Sequence, residues 1–146
     1  MPSFPPILFL HGLATTTKRT WGDNGWFDLV HEAGREFLPI DFPGHGKEFI
    51  PPAEFNGNLV DYVNERIPFP IVDGIGFSLG ARVLLELALE RPGKFRKLVL
   101  AGVGAIVGYL GVKAFKKNKD ENKTTIVLKN LFIISLSNLF FCKNNL

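Results

Sequence analysis

Apolar and polar positions alternate in blocks along the first hundred residues. Ile7-Leu8-Phe9-Leu10 is a continuous apolar run closed by His11-Gly12, the pattern of a strand buried on both faces that ends in a turn. A polar loop rich in Thr follows from Ala14 to Asp23. Between Gly25 and Gly34, Trp26, Phe27, Leu29, Val30 and Ala33 fall mostly on one side of a short helix. Residues 36–41 read as a second strand, although Pro39 has no N–H to donate to a ladder. Phe42-Pro43-Gly44-His45-Gly46 is a tight turn. Asn56 is placed to cap a helix running to Glu65, with Leu59, Tyr62 and Val63 at helical spacing, and Pro68 and Pro70 end it. Residues 71–77 form a third predicted strand with Ser78 at its end. Leu79 to Glu90 is the strongest helical pattern and stops at Pro92-Gly93. Residues 97–103 form a fourth strand. Such alternation predicts an α/β fold, a mostly parallel sheet with flanking helices.

The pattern changes after Gly104. All ten prolines lie at or before position 92, every arginine at or before 96, and no glycine follows 111. Residues 124–128 are strand-like, and residues 130–141 are apolar but interrupted by Ser135, Ser137 and Asn138. A membrane span needs about 20 apolar residues, so this shorter run predicts at most a weak membrane or partner contact through residues 126–142. The division expected is therefore a partial α/β domain over 1–104 and a tail over 105–146. There are no internal repeats.

Composition narrows the class. Apolar residues make up 46% and charged residues 21% of the 146, which argues against intrinsic disorder. Cys142 is the one cysteine, so an intrachain disulfide framework and a cysteine-rich zinc site are excluded. The opening MPSFPPILFL lacks a basic start and its prolines interrupt the apolar run, unlike a secretory signal, and a cytoplasmic setting is the expectation. The net charge of +3 is unevenly spread. Residues 1–104 carry ten basic against twelve acidic groups, whereas 105–146 carry seven Lys against two acids. The basic pI near 9.1 thus belongs to the Lys/Asn-rich tail, and without a recognised binding motif it does not predict nucleic-acid binding. Metal ligands are not clustered, and no G-x-G-x-x-G or P-loop pattern is present, so no cofactor and no metal are expected.

The informative motif is Gly76-Phe77-Ser78-Leu79-Gly80, a G-x-S-x-G between a predicted strand and a predicted helix. A sharp turn there needs small flanking positions, which Gly76 and Gly80 provide, and it exposes Ser78. The amide of Leu79 then lies at a helix N-terminus, where backbone donors face developing negative charge. The other reading is a Gly-rich turn that only joins strand to helix. Leu10-His11-Gly12-Leu13 ends another buried strand, and its turn can aim the Leu13 amide into the same cleft. Two convergent N–H donors make an oxyanion hole. The His11 imidazole itself reads as a structural brace of its loop.

These residues, in the order strand–HG–loop, DFPGHG, strand–GFSLG–helix, KLVLAGVG, resemble the first half of the α/β-hydrolase superfamily over residues 5–104. The resemblance implies Ser78 as nucleophile, the Leu13 and Leu79 amides as oxyanion donors, and His11, Gly12, Gly76 and Gly80 as structural residues around them. It points to the esterase, lipase and thioesterase branches, because an aspartate stands at the elbow of the dehalogenases and epoxide hydrolases. A small acyl substrate follows.

One part of the superfamily pattern does not match. The triad there runs Ser, Asp/Glu, His along the chain, but His11, His31 and His45 all precede Ser78, and the acids after Glu90 are Asp120 and Glu121 alone. His45, on the turn after the second strand, is the remaining candidate base, and His31 reads as a surface residue. Three readings stay open. The chain is a truncated or frameshifted serine hydrolase with little or no activity; or a non-catalytic half-domain that binds, its tail touching a membrane or partner; or one part of an assembly in which another chain supplies acid and histidine. In each, residues 97–103 leave an unpaired apolar edge, unless residues 124–128 dock there, and low solubility follows.

Overall fold

The computed structural model describes residues 4–47, 55, 57–102 and 131–134. Its strands are β1 (Ile7–Leu10), β2 (Phe37–Ile40), β3 (Val72–Phe77), β4 (Phe95–Ala101) and β5 (Leu131–Ile134). Its α-helices are α1 (Trp26–Glu32), α2 (Leu59–Glu65) and α3 (Leu79–Glu90). The strands form one sheet in the order β2-β1-β3-β4-β5, with every pairing parallel.

The two-residue period of a strand explains how one apolar run serves two cores. Leu8 and Leu10 of β1 pack with Val63, Leu84 and Leu87 on the side of α2 and α3. Ile7 and Phe9 point the other way, toward Trp21, Val30, Phe27 and Phe37 beside α1. All four β1 residues are buried, as a strand covered on both faces must be. On the α3 face, a Cβ at Gly74 would lie 2.8 Å from Leu98 Cδ2 and 3.2 Å from Leu84 Cδ2, so the missing side chain lets α3 seat Leu84 against the sheet.

Pro39 is accommodated because β2 is an edge strand, where a missing N–H costs no ladder bond on the open side. The helix cap is Asn58, two residues beyond the expected start. Its side chain accepts from the Val60 and Asp61 N–H groups, both at 3.1 Å, and Asn56 lies outside the described residues. The Thr-rich loop contains a π-helical turn, Lys18–Gly22, that buries Trp21 and points its indole N–H at the Leu10 carbonyl, 3.0 Å away. β4 begins at Phe95, two residues early, through pairing with Val72, and ends before Gly102, whose φ is +66°.

The expected open edge on β4 is a correction. Leu98 to Ala101 pair in register with Leu131 to Ile134. The strand that covers the edge comes from the apolar run at 130–141, whereas residues 124–128 lie outside the described residues.

Away from these loops, at the start of β3, Asp73 is buried and meets two guanidinium groups. Arg35 donates to its Oδ2 at 2.7 Å, and Arg96 reaches the same oxygen. Arg35 also donates to the Pro5 carbonyl, and both arginines sit 5.3 Å from the Phe4 ring centroid. This cluster ties the N-terminal segment, β3 and β4 together at the sheet edge opposite the turns that follow β1, β2 and β3.

Candidate active site

Three turns leave the C-terminal ends of neighbouring strands β1, β2 and β3, and parallel pairing brings them together. Ser78 occupies the turn from β3 into α3 with φ +52° and ψ −109°. A non-glycine residue in that region costs roughly 1–3 kcal/mol and persists only where its surroundings impose it. Here they do. The Ser78 N–H donates to the Ala101 carbonyl at 2.9 Å, and the Ser78 carbonyl accepts from Arg82 N–H at 3.1 Å as α3 begins.

The flanking glycines close the turn through backbone contact. A Cβ on Gly76 would come within 2.7 Å of backbone atoms of Gly80 and Ala81. One on Gly80 would come within 2.7 Å of Leu10 and His11 backbone. The first turn of α3 therefore rests directly on the end of β1. Gly12 completes the contact, since a Cβ there would lie 3.0 Å from the Phe77 ring and 3.5 Å from Ser78 Cβ. The HG turn and the serine turn are thus neighbours, as their positions in the sequence imply.

His11 is fully buried. Its Nε2 accepts from the Phe42 N–H at 2.9 Å, so Nδ1 carries the proton and donates to the Gly12 carbonyl at 2.6 Å. Burial pushes its pKa below the ordinary value, with the Gly12 carbonyl and the Asp41 carboxylate, 3.6 Å from Nε2, pulling the other way. Both nitrogens serve the backbone of the turns after β1 and β2, the arrangement of a brace.

His45 is held in the same manner. Its Nδ1 donates to the Pro43 carbonyl at 3.0 Å, and its Nε2 accepts from Ala14 N–H at 3.2 Å. His31 is exposed on α1. Leu13 is 72% exposed, and neither its N–H nor that of Leu79 donates a hydrogen bond among the described residues. Two residues escaped the sequence reading, Ala14 with φ +58° and Asp41. Asp41 Oδ1 accepts from both the N–H and the hydroxyl of buried Thr17 at 2.8 Å. The Thr-rich loop beside an Asp that ends a strand was the available signal.

A cavity of about 500 Å³ opens between the start of α2 and α3, lined by Asn58, Leu59, Leu79, Arg82, Val83 and Glu86 among others, and meets the serine turn only at Leu79. Among the described residues no three His, Cys, Asp or Glu side chains are grouped to hold a metal ion, and no helix is long and apolar enough to cross a membrane.

The family model described as "Alpha/beta hydrolase family" matches residues 7–124, which extends past Gly104. The chain is 24% identical over 129 residues to a pimeloyl-[acyl-carrier protein] methyl ester esterase of Nitrosomonas europaea, covering 87% of this chain and 48% of that one. It is 31% identical over 99 residues to the enzyme of the same description from Vibrio campbellii, covering 65% and 35%. It spans half or less of the length of these curated relatives. The solved structure of a CIB-like hydrolase from Thermoplasma acidophilum superposes with a TM-score of 0.62 at 16% identity, covering 92% of this chain and 77% of that one.

Proposed function

Since the chain belongs to the alpha/beta hydrolase family, we propose that its chemistry is serine-dependent hydrolysis of a small acyl ester. The observation that carries this reading is the backbone of Ser78, strained at φ +52° in a turn packed through glycine onto the end of β1. In a G-x-S-x-G elbow such a strained turn is what presents the nucleophile's hydroxyl, and Ser78 holds that position in the motif. The Leu79 N–H, at the start of the twelve-residue α3, and the Leu13 N–H are the donors for the oxyanion that forms when Ser78 Oγ attacks the acyl carbon. Two bacterial relatives described as methyl ester esterases support the ester class, and the single cysteine fits a reducing, cytoplasmic setting.

The reading gives these 146 residues a nucleophile and oxyanion donors without a base. No histidine follows Ser78, and His11 and His45 have both ring nitrogens engaged with backbone. A serine without its triad partners keeps about 10³- to 10⁴-fold acceleration over water from the oxyanion hole and binding. A fluorophosphonate probe tests this. Slow labelling that Ser78→Ala abolishes is the expected result. Equal labelling of wild type and Ser78→Ala refutes the assignment, and rapid labelling lost in His45→Ala makes His45 the base.

A second reading, a non-catalytic half-domain that binds a partner or membrane through residues 126–142, draws support from β5, which closes the β4 edge from within the chain. Flotation of the chain with anionic vesicles, lost when Lys129 is removed, would favour it.

A further inference from the structure

We propose that His45 is a positioning residue whose neutral imidazole latches Ala14 and thereby sets the direction of the adjacent Leu13 amide. The catalytic meaning of that amide rests on the proposed function, whereas the latch rests on geometry alone.

Leu13 is largely exposed, so packing of its own side chain does not orient it. It lies between two fixed residues. Gly12, before it, is buried against Phe77 and Ser78. Ala14, after it, holds φ +58°, a conformation that an alanine keeps only under constraint. The Ala14 N–H makes a single hydrogen bond among the described residues, to His45 Nε2. The Pro43 carbonyl can only accept, so it places the ring proton on Nδ1 and leaves the Nε2 lone pair for Ala14.

The turn that carries His45 is itself anchored. A Cβ on Gly46, at φ +58°, would fall 2.1 Å from Asp41 Oδ2, so the turn folds down onto this carboxylate. The other Asp41 oxygen binds Thr17. The loop after β1 is therefore fastened to the loop after β2 at three points, His11 through Phe42, Thr17 through Asp41 and Ala14 through His45, and Leu13 adjoins the last.

Amide NMR on the full 146-residue chain tests the latch. In His45→Phe the Ala14 amide should exchange about tenfold faster or more while the β1 and β3 amides keep their protection. His45→Gln, whose Oε1 can replace Nε2 as acceptor, should restore slow exchange. Unchanged Ala14 exchange in His45→Phe, or exchange that His45→Gln does not slow again, overturns the proposal. If His45→Phe does not fold, the scalar coupling across the hydrogen bond between Ala14 N and His45 Nε2 in the wild-type chain decides alone, and its absence overturns the proposal. Phenylboronic acid, followed by ¹¹B NMR, separates the two readings. Binding weakened about tenfold or more in His45→Phe supports both the latch and the oxyanion role. Equal binding in both proteins, or none in either, with Ala14 still released in His45→Phe, removes the oxyanion role of Leu13 and leaves the latch standing.

Discussion

At the scale of the residue, two buried or half-buried histidines do mechanical work in opposite directions of legibility. His11 ends an apolar run and is followed by glycine, so a bracing role could be read from the chain; its partners at Phe42 and Gly12 could not, because they depend on how the loop after β2 returns. His45 sits in a turn whose sequence, PGHG, announces a bend and says nothing of Ala14, thirty-one residues earlier. The depressed pKa of His11 has a thermodynamic consequence. The unfolded chain takes a proton at the ordinary histidine pKa of about 6.5, while the native chain resists it down to a lower pH. Stability supplied by neutral His11 is therefore complete above that value and is lost as pH falls toward the native pKa. Urea unfolding followed between pH 7.5 and pH 5 should show falling stability, and a His11→Asn variant should show a shallower decline over the same range. An equal slope in both would mean that other groups account for the dependence.

At the scale of the element, β1, β3 and α3 were legible because each local signal agreed with the others. Continuous apolar runs ended at HG and FSLG, and the longest helical period stopped at Pro92-Gly93. The misplacements fall where local chemistry was ambiguous. Asn56 and Asn58 both precede the α2 pattern, and only the backbone shows which side chain reaches the first free N–H groups. The π-helical turn was hidden in a Thr-rich stretch that carries no helical period, because one buried indole stabilises it. The glycine contacts make the strongest element-scale prediction. Gly80→Ala sets a Cβ against the backbone of Leu10 and His11, atoms that cannot step aside as a side chain can. A loss of about 1–3 kcal/mol is expected from such overpacking, against about 0.5 kcal/mol or less for Arg82→Ala, exposed one half-turn further on. Chemical denaturation of the two variants side by side checks it.

At the scale of the molecule, the parallel pairing followed from strand–helix alternation, but the strand order and the final strand did not. Residues 131–134 belong to an apolar run that periodicity cannot assign to strand, helix or surface anchor, and residues 124–128, richer in β-branched side chains, were the better local strand. The choice was made by the open edge of β4, a tertiary demand. Stopping the chain at residue 130 should therefore return that edge to solvent. The shortened protein is expected to lose soluble yield and to elute as aggregates in size exclusion, whereas the full chain elutes as a discrete species; a soluble, monomeric truncation would show that β5 is dispensable.

The same pairing sets an order of events during synthesis. Residues 102–130 separate β4 from the strand that covers it. At about 5–20 residues per second, a ribosome needs roughly 1.5–6 s to make that stretch. Throughout that interval the apolar run Leu98-Val99-Leu100-Ala101 is paired with β3 on one side and lacks β5 on the other. Slowing translation within codons 102–130 should lengthen the exposure and lower the yield of folded protein.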